Sequence, residues 1–329
     1  MKRKFLLKIL GVGLATALAY FGIIFLMLAI GKVNWLPNAR YTHGGYGHTL
    51  VKLQEAKQVQ GVDMLFIGSS HVYRGFDPRI FNQHNIRTFN LGTPSQTPFV
   101  SYYLLKEHLP AINPRYVVMD LYWNVLSMPA TEAGADVISN SEIRGTLLDM
   151  VWESRDIVLL NSFLISYINQ MISPLDTSAQ KEILSDEYIG AGYVASKMDR
   201  NLMSDIELAH QPKYRFTPNK LQVNHLKKII NLCKKHNVEL IFVVTPVTKE
   251  YFNSVQNYQE FTDLAGGIAS DYSIPLIDYN TEEGLILDSQ SDFYDKDHLS
   301  QAGVEKFNAA FIKKFYDDLY LNNTSALNQ

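Results

Sequence analysis

Three residues have the types and spacing to do chemistry together: Ser70, Asp295 and His298. Near the C-terminus the chain reads Tyr294-Asp295-Lys296-Asp297-His298-Leu299-Ser300-Gln301-Ala302-Gly303. An aspartate three residues before a histidine can orient the imidazole, which can then take a proton from a serine hydroxyl. Asp-x-x-His alone occurs in many surface turns. It gains weight from Phe66-Ile67-Gly68-Ser69-Ser70-His71, far upstream, where a serine follows an apolar run.

Chemistry between such distant residues needs a scaffold that brings them to one place. Asp63 to Ile67 is a continuous apolar run ending in Gly68-Ser69-Ser70, as expected of a parallel strand buried on both faces. Short strands are expected at residues 88–92, 116–121, 240–244 and 275–278. Helices are expected at 49–58, at 98–109 with Pro110 as the stop, at 219–236, at 258–270 and at 300–319 with Ser300 as N-cap. Strands alternating with helices imply a mostly parallel sheet covered on both faces, an α/β fold. Residues 125–218 contain helical stretches such as 157–172 and no convincing strand, and read as a helical insertion that sets acceptor choice. In an open α/β sheet ligands bind beyond the carboxyl ends of the strands. Ser70, Asn90 with Gly92, Asn124, Asp295 and His298 all follow strands, so they gather on one sheet edge.

These residues resemble the SGNH, or GDSL, hydrolases over most of residues 62–320, the insertion excepted. The family's first block reads Gly-Asp-Ser; Gly68-Ser69-Ser70 maps the nucleophile to Ser70, with Ser69 in place of the aspartate. The second block supplies an oxyanion-hole glycine, matched by Gly92 in Asn90-Leu91-Gly92. The third, Gly-x-Asn-Asp, supplies an asparagine donor; Tyr122-Trp123-Asn124-Val125 keeps Asn124 without the glycine. The fifth, Asp-x-x-His, matches Asp295 and His298. The resemblance implies a three-layer, flavodoxin-like parallel sheet and no cofactor. It also implies a mechanism in which Ser70 attacks an ester carbonyl and the Ser70 N–H, the Gly92 N–H and the Asn124 side chain hold the oxyanion. His71 and Arg74 are candidate contacts to an acidic substrate and otherwise support the loop, and Asn90 is a candidate contact that reads more readily as a structural turn residue.

The Gly-Ser-Ser-His variant with an N-terminal anchor is similar to a membrane-bound subgroup that includes the alginate acetylation and teichoic-acid alanylation proteins. It implies acyl modification, chiefly acetylation, of a cell-envelope polysaccharide, with a multipass membrane acyltransferase as a candidate partner. Water as acceptor makes an esterase; a sugar hydroxyl makes an O-acyltransferase. The alternative is a non-catalytic member that binds glycan or docks a membrane acyltransferase, and a metal-dependent hydrolase comes third.

Composition narrows the setting. Of 329 residues 47% are apolar, enough for a sizeable core. The single cysteine, Cys233, excludes an internal disulfide framework and sits in a helical pattern as a small hydrophobe. From Ile9 to Ile30 no residue is charged. These 22 residues reach ~33 Å as a helix, too long for a signal-peptide core and sufficient to cross a bilayer. Lys2, Arg3, Lys4 and Lys8 precede the segment, so the tail is expected in the cytoplasm and the body outside. Removing those four cations from the 30 Lys and Arg leaves 26 against 33 Asp and Glu, a balance of −7 that excludes a nucleic-acid partner. The expected organisation is tail and anchor 1–31, linker and short helix 32–61, and the α/β domain 62–329. Asp297 reads as a solvated charge. His43 and His48 lack further ligands at zinc spacing, so no metal is expected. Tyr102 and Tyr103 read as core or groove wall, and the Asn322-Asn323-Thr324 sequon carries no meaning.

Overall fold

The computed structural model describes residues 2–320; the sequon and the polar tail lie outside the described residues. Seven strands form: β1 Met64–Ile67, β2 Thr88–Asn90, β3 Tyr116–Asp120, β4 Asp186–Gly190, β5 Tyr193–Ser196, β6 Glu239–Val244 and β7 Leu276–Asp278. The helices up to the insertion are α1 Lys2–Ala29, α2 Thr49–Ala56, α3 Ser70–Gly75, α4 Pro78–Gln83, α5 Pro98–Ile112 and α6 Trp123–Ser127. Within it lie α7 Thr131–Asn140, α8 Gly145–Ser154, α9 Ile157–Ile172 and α10 Asp205–Ala209. After it come α11 Lys220–Lys235, α12 Lys249–Ser254, α13 Tyr258–Tyr272 and α14 Gln301–Lys314.

Five strands make one parallel sheet in the order β2-β1-β3-β6-β7. This is the doubly wound, flavodoxin-like order, whose switch point lies between β1 and β3. Side chains alternate between the two faces, as the pleat requires. Leu65, Ile67, Val117, Met119, Phe242 and Val244 belong to one core, with α5, α11 and α13. Met64, Phe66, Tyr116, Val118, Ile241 and Val243 belong to the other, with Phe307 and Phe311 of α14. Three layers result. Cys233 is buried in the first core and its thiol is pushed up to about 12 by burial.

Two expectations are corrected. First, the insertion contains a strand pair: β4 and β5 form an antiparallel hairpin through Gly190-Ala191-Gly192. Gly192 has φ +75°, and a Cβ there would meet the Asn90 carbonyl oxygen at 1.9 Å, so only glycine permits this approach to the sheet edge. Second, α5 continues past Pro110 to Ile112, and left-handed Asn113 ends it by donating its N–H to the Leu109 carbonyl. A proline in the last turn forfeits little of the helix's hydrogen bonding, so it does not act as the stop.

At the N-terminus, Arg3–Ala29 is long and apolar enough to cross a membrane.

Candidate active site

Ser70 stands at the switch point. β1 ends at Ile67, and Gly68 turns the chain at φ +152°, where a Cβ would lie 2.7 Å from a Val72 methyl. The Ser69 side chain caps α3 by accepting the His71 N–H at 3.4 Å. Ser70 is therefore the first residue of α3, half-buried, and its Oγ lies 2.7 Å from His298 Nε2. That distance joins residues 228 apart in the chain.

On the other side of the imidazole, Nδ1 lies 2.8 Å from Asp295 Oδ2 and 3.1 Å from Oδ1. Asp295 Oδ1 also accepts the backbone N–H groups of Asp297 (2.9 Å) and His298 (2.7 Å), so Asp-x-x-His is a closed turn that fixes acid and base together. The insertion steadies this loop, because Asn201 Nδ2 donates to the Asp295 carbonyl at 2.9 Å.

Asp297, expected to be a solvated charge, is instead a second carboxylate on the imidazole, and its side chain is 13% exposed. Its Oδ1 lies 3.3 Å from His298 Nδ1 and its Oδ2 accepts the Tyr122 hydroxyl at 2.9 Å. Tyr122 Oη is in turn 2.9 Å from Tyr251 Oη. Burial would lower the His298 pKa, but the charges of Asp297 and then Asp295 outweigh it and raise it to about 9. Burial likewise opposes the charge of Asp297, yet the neighbouring imidazolium holds it well below the usual carboxylate range. Tyr122 and Tyr251 gave no sequence signal, because they meet Asp297 only through the fold.

Gly92 follows β2, next to β1. A Cβ there would lie 3.0 Å from the carbonyl oxygens of both Gly68 and Ser69, so a glycine lets the chain pass close beneath the Ser70 turn without crowding those carbonyls. From behind, the fully buried Lys52 donates its Nζ to the Gly92 carbonyl and lies over the Tyr73 ring at 4.1 Å. Asn124, half-buried, is in the first turn of α6 just beyond β3. Among the described residues the Ser70 N–H, the Gly92 N–H and the Asn124 side chain donate no hydrogen bond.

The three expected substrate contacts are committed to the protein. Asn90 is fully buried, donating Nδ2 to the Phe76 carbonyl at 2.7 Å. Arg74 forms a buried two-pronged pair with Asp186 of β4 (3.0 and 2.7 Å) and lies over the Tyr73 and Tyr294 rings, tying the hairpin to α3. His71 packs under the site, its ring 4.1 Å from Tyr122 and 5.2 Å from His298. Its Nδ1 is 3.9 Å from Asp120 Oδ2, whose Oδ1 accepts the Thr245 N–H (3.1 Å) and hydroxyl (3.0 Å). Burial, with His298 second, lowers His71 to about 4, and burial raises Asp120 to about 7. Burial thus favours the uncharged form of each side chain. His71, Asp297 and His298 also bring three ligand-type atoms within 4.8 Å of one another. His298 uses both nitrogens on Ser70 and the carboxylates, which leaves that group poorly suited to a metal.

An open parallel sheet with serine, imidazole and carboxylate in sequence at its switch point defines an α/β protein. Among solved structures the chain is similar to a protein from Bacteroides fragilis assigned as an acylhydrolase. The identity is 11%, covering 82% of this chain and 97% of that one, with a TM-score of 0.41. It is also similar to a GDSL-like lipase from Bacteroides thetaiotaomicron, at 13% identity over 81% and 91% of the two chains, with a TM-score of 0.39. No family model matches the chain, and no curated protein does. The fold assignment rests on the sheet itself.

Proposed function

We propose that this chain is a membrane-anchored SGNH-type serine esterase or O-acyltransferase that acts on acyl, chiefly acetyl, esters of a cell-envelope polysaccharide. The observation that carries the chemistry is the 2.7 Å approach of Ser70 Oγ to His298 Nε2, with Asp295 on the far nitrogen. His298 takes the Ser70 proton as Oγ bonds to the ester carbonyl carbon. The oxyanion so formed is met by the N–H groups of Ser70 and Gly92 and by the Asn124 amide. The C–O bond to the leaving alcohol then breaks, and that alcohol departs with the proton from His298, leaving an acyl-Ser70. Water or a sugar hydroxyl attacks the acyl carbon and gives its proton to His298, which passes it to Ser70 Oγ as the acyl C–Oγ bond breaks and the serine is regenerated. The polysaccharide and the acetyl group come from the resemblance in the sequence blocks. The anchor reading is supported by the length of α1, and four cations at its N-terminal end favour a cytoplasmic tail and an external domain by the positive-inside rule.

The test is turnover of an aryl acetate by the full chain in detergent, with and without an oligosaccharide acceptor. Ser70→Ala should lose ~10³-fold or more in kcat. A variant that keeps the native rate contradicts the proposal.

A further inference from the structure

The helix pair α8–α9 stands beside the anchor with its apolar side uncovered. α9, Ile157–Ile172, contains no charged residue across its 16 positions. Its buried side, which includes Leu159 and Ile165, is fixed by hydrogen bonds: Asn161 accepts the Tyr20 hydroxyl (2.6 Å) and donates to the Asn38 carbonyl (2.6 Å), and Ser162 donates to the Arg40 carbonyl (2.6 Å). Its outer side shows Ile157 (49% exposed), Leu160 (40%), Tyr167 (48%) and Met171 (73%), a stripe at helical spacing. At the turn before it, Trp152 of α8 is 84% exposed.

α1 and α9 run side by side, Tyr20 against Asn161 and Ile24 in one cluster with Ile165. The part of α1 clear of the body is therefore short. Phe5 to Ala19 is fifteen residues, ~22 Å of helix, against a hydrocarbon core of ~30 Å. The missing ~8 Å has to come from the stretch that α9 flanks. On the side of α1 away from α9 that stretch still exposes Phe21, Ile23, Phe25 and Leu26. A bilayer that covers these residues also reaches the first turns of α9.

We infer that the α8–α9 corner, through Trp152, Ile157 and Leu160, is seated in the outer leaflet of the bilayer that α1 spans, so that the domain lies on the membrane. The inference rests on the anchor reading above. A depth of ~5–10 Å is that of helices which lie in the interface, and α9, at ~24 Å, is too short to cross. The charges at the corner fit that level. Glu153 is paired with Lys228, and Asp156 caps α9 through the Val158 N–H (2.8 Å). Among the described residues Arg155 has no ion-pair partner, and it lines a groove with Trp152, Ile157, Leu160 and Asp156, whose two carboxylate oxygens accept the Val158 N–H and the Thr131 hydroxyl. An aliphatic and indole surface with one free guanidinium suits a lipid chain below an anionic headgroup.

The test is nitroxide labelling of the full chain in phosphatidylcholine–phosphatidylglycerol vesicles, with single cysteines at Leu14, Leu160, Met171 and Ile286. All four positions are exposed except for any lipid contact, and native Cys233 is buried beyond labelling. The ratio of oxygen to nickel-chelate accessibility should fall in the order 14, 160, 171, 286, with Leu160→Cys several-fold above Ile286→Cys. If Leu160→Cys matches Ile286→Cys while Leu14→Cys is in lipid, the seat is overturned and the anchor stands. If Leu14→Cys is also aqueous, the anchor reading fails and the seat with it. A Leu160 label shielded from both reagents means a second copy covers the face, which also overturns the inference.

Discussion

The Tyr122 hydroxyl donates to Asp297 Oδ2 at 2.9 Å while Asp297 Oδ1 sits 3.3 Å from His298 Nδ1. The imidazole thus faces two carboxylates, and a residue between β3 and α6 holds the second in place. This arrangement favours imidazolium, as the pKa of about 9 for His298 reflects. A base that must be neutral to accept the Ser70 proton then gains activity as pH rises.

Asp297→Asn removes one of those charges, so the rising limb of kcat/KM should move to lower pH by about one unit or more. Tyr122→Phe leaves both charges in place and should leave the midpoint near its native value. The pH profile for an aryl acetate checks both. A midpoint unmoved in Asp297→Asn means that Asp297 does not act on the base.

Gly92 passes 3.0 Å beneath the Gly68 and Ser69 carbonyls by the measure of an added Cβ. Gly92→Ala should displace this segment and its N–H, with a loss in kcat of ~10²–10³. Circular dichroism should remain native. Full activity in a folded Gly92→Ala protein argues against this N–H as an oxyanion donor.

Lys52 holds the same segment from the core side. Burial lowers its pKa well below the ordinary lysine value, and among the described residues its ammonium donates to the Gly92 carbonyl. Lys52→Met strands that carbonyl and should cost ~1–3 kcal/mol of stability. Denaturant titration reads it, and kcat should fall with it. An unchanged midpoint contradicts a structural role for the contact.

Asp120, raised to about 7 by burial, adds a pH dependence to folding. Because its folded value lies above its unfolded one, its contribution is complete below pH ~4 and is lost as pH rises through 7. His71, lowered to about 4, works oppositely: its contribution is complete above pH ~6.5 and is lost as pH falls through 4. Asp120→Asn should remove only the first effect, so its Tm relative to the native chain should increase steadily from pH 4 to 7. A constant difference across that range contradicts the assignment.

The strands of the main sheet were legible because Met64-Leu65-Phe66-Ile67 and its counterparts are apolar without interruption, as burial on both faces demands. Ser70, Asp295 and His298 were legible because each lies just past an element in a short motif. The hairpin β4–β5 was not. Asp186-Glu187-Tyr188 mixes charge with an aromatic, and its order comes from partners far away: Arg74, Glu55 and the Asn90 carbonyl behind Gly192. Asp297 looked solvated for the same reason, since Tyr122, 175 residues earlier, is what buries it. The burial of His71, Arg74 and Asn90 also depends on such long-range packing, and local sequence shows only that they are polar residues near a turn.

The most direct measurement is mass spectrometry of the full chain after reaction with a fluorophosphonate. The expected result is a single phosphonyl adduct on Ser70, abolished in Ser70→Ala and strongly reduced in His298→Ala. A folded native chain that remains unmodified at Ser70 under conditions that label an active serine hydrolase would contradict the assignment of nucleophile and base.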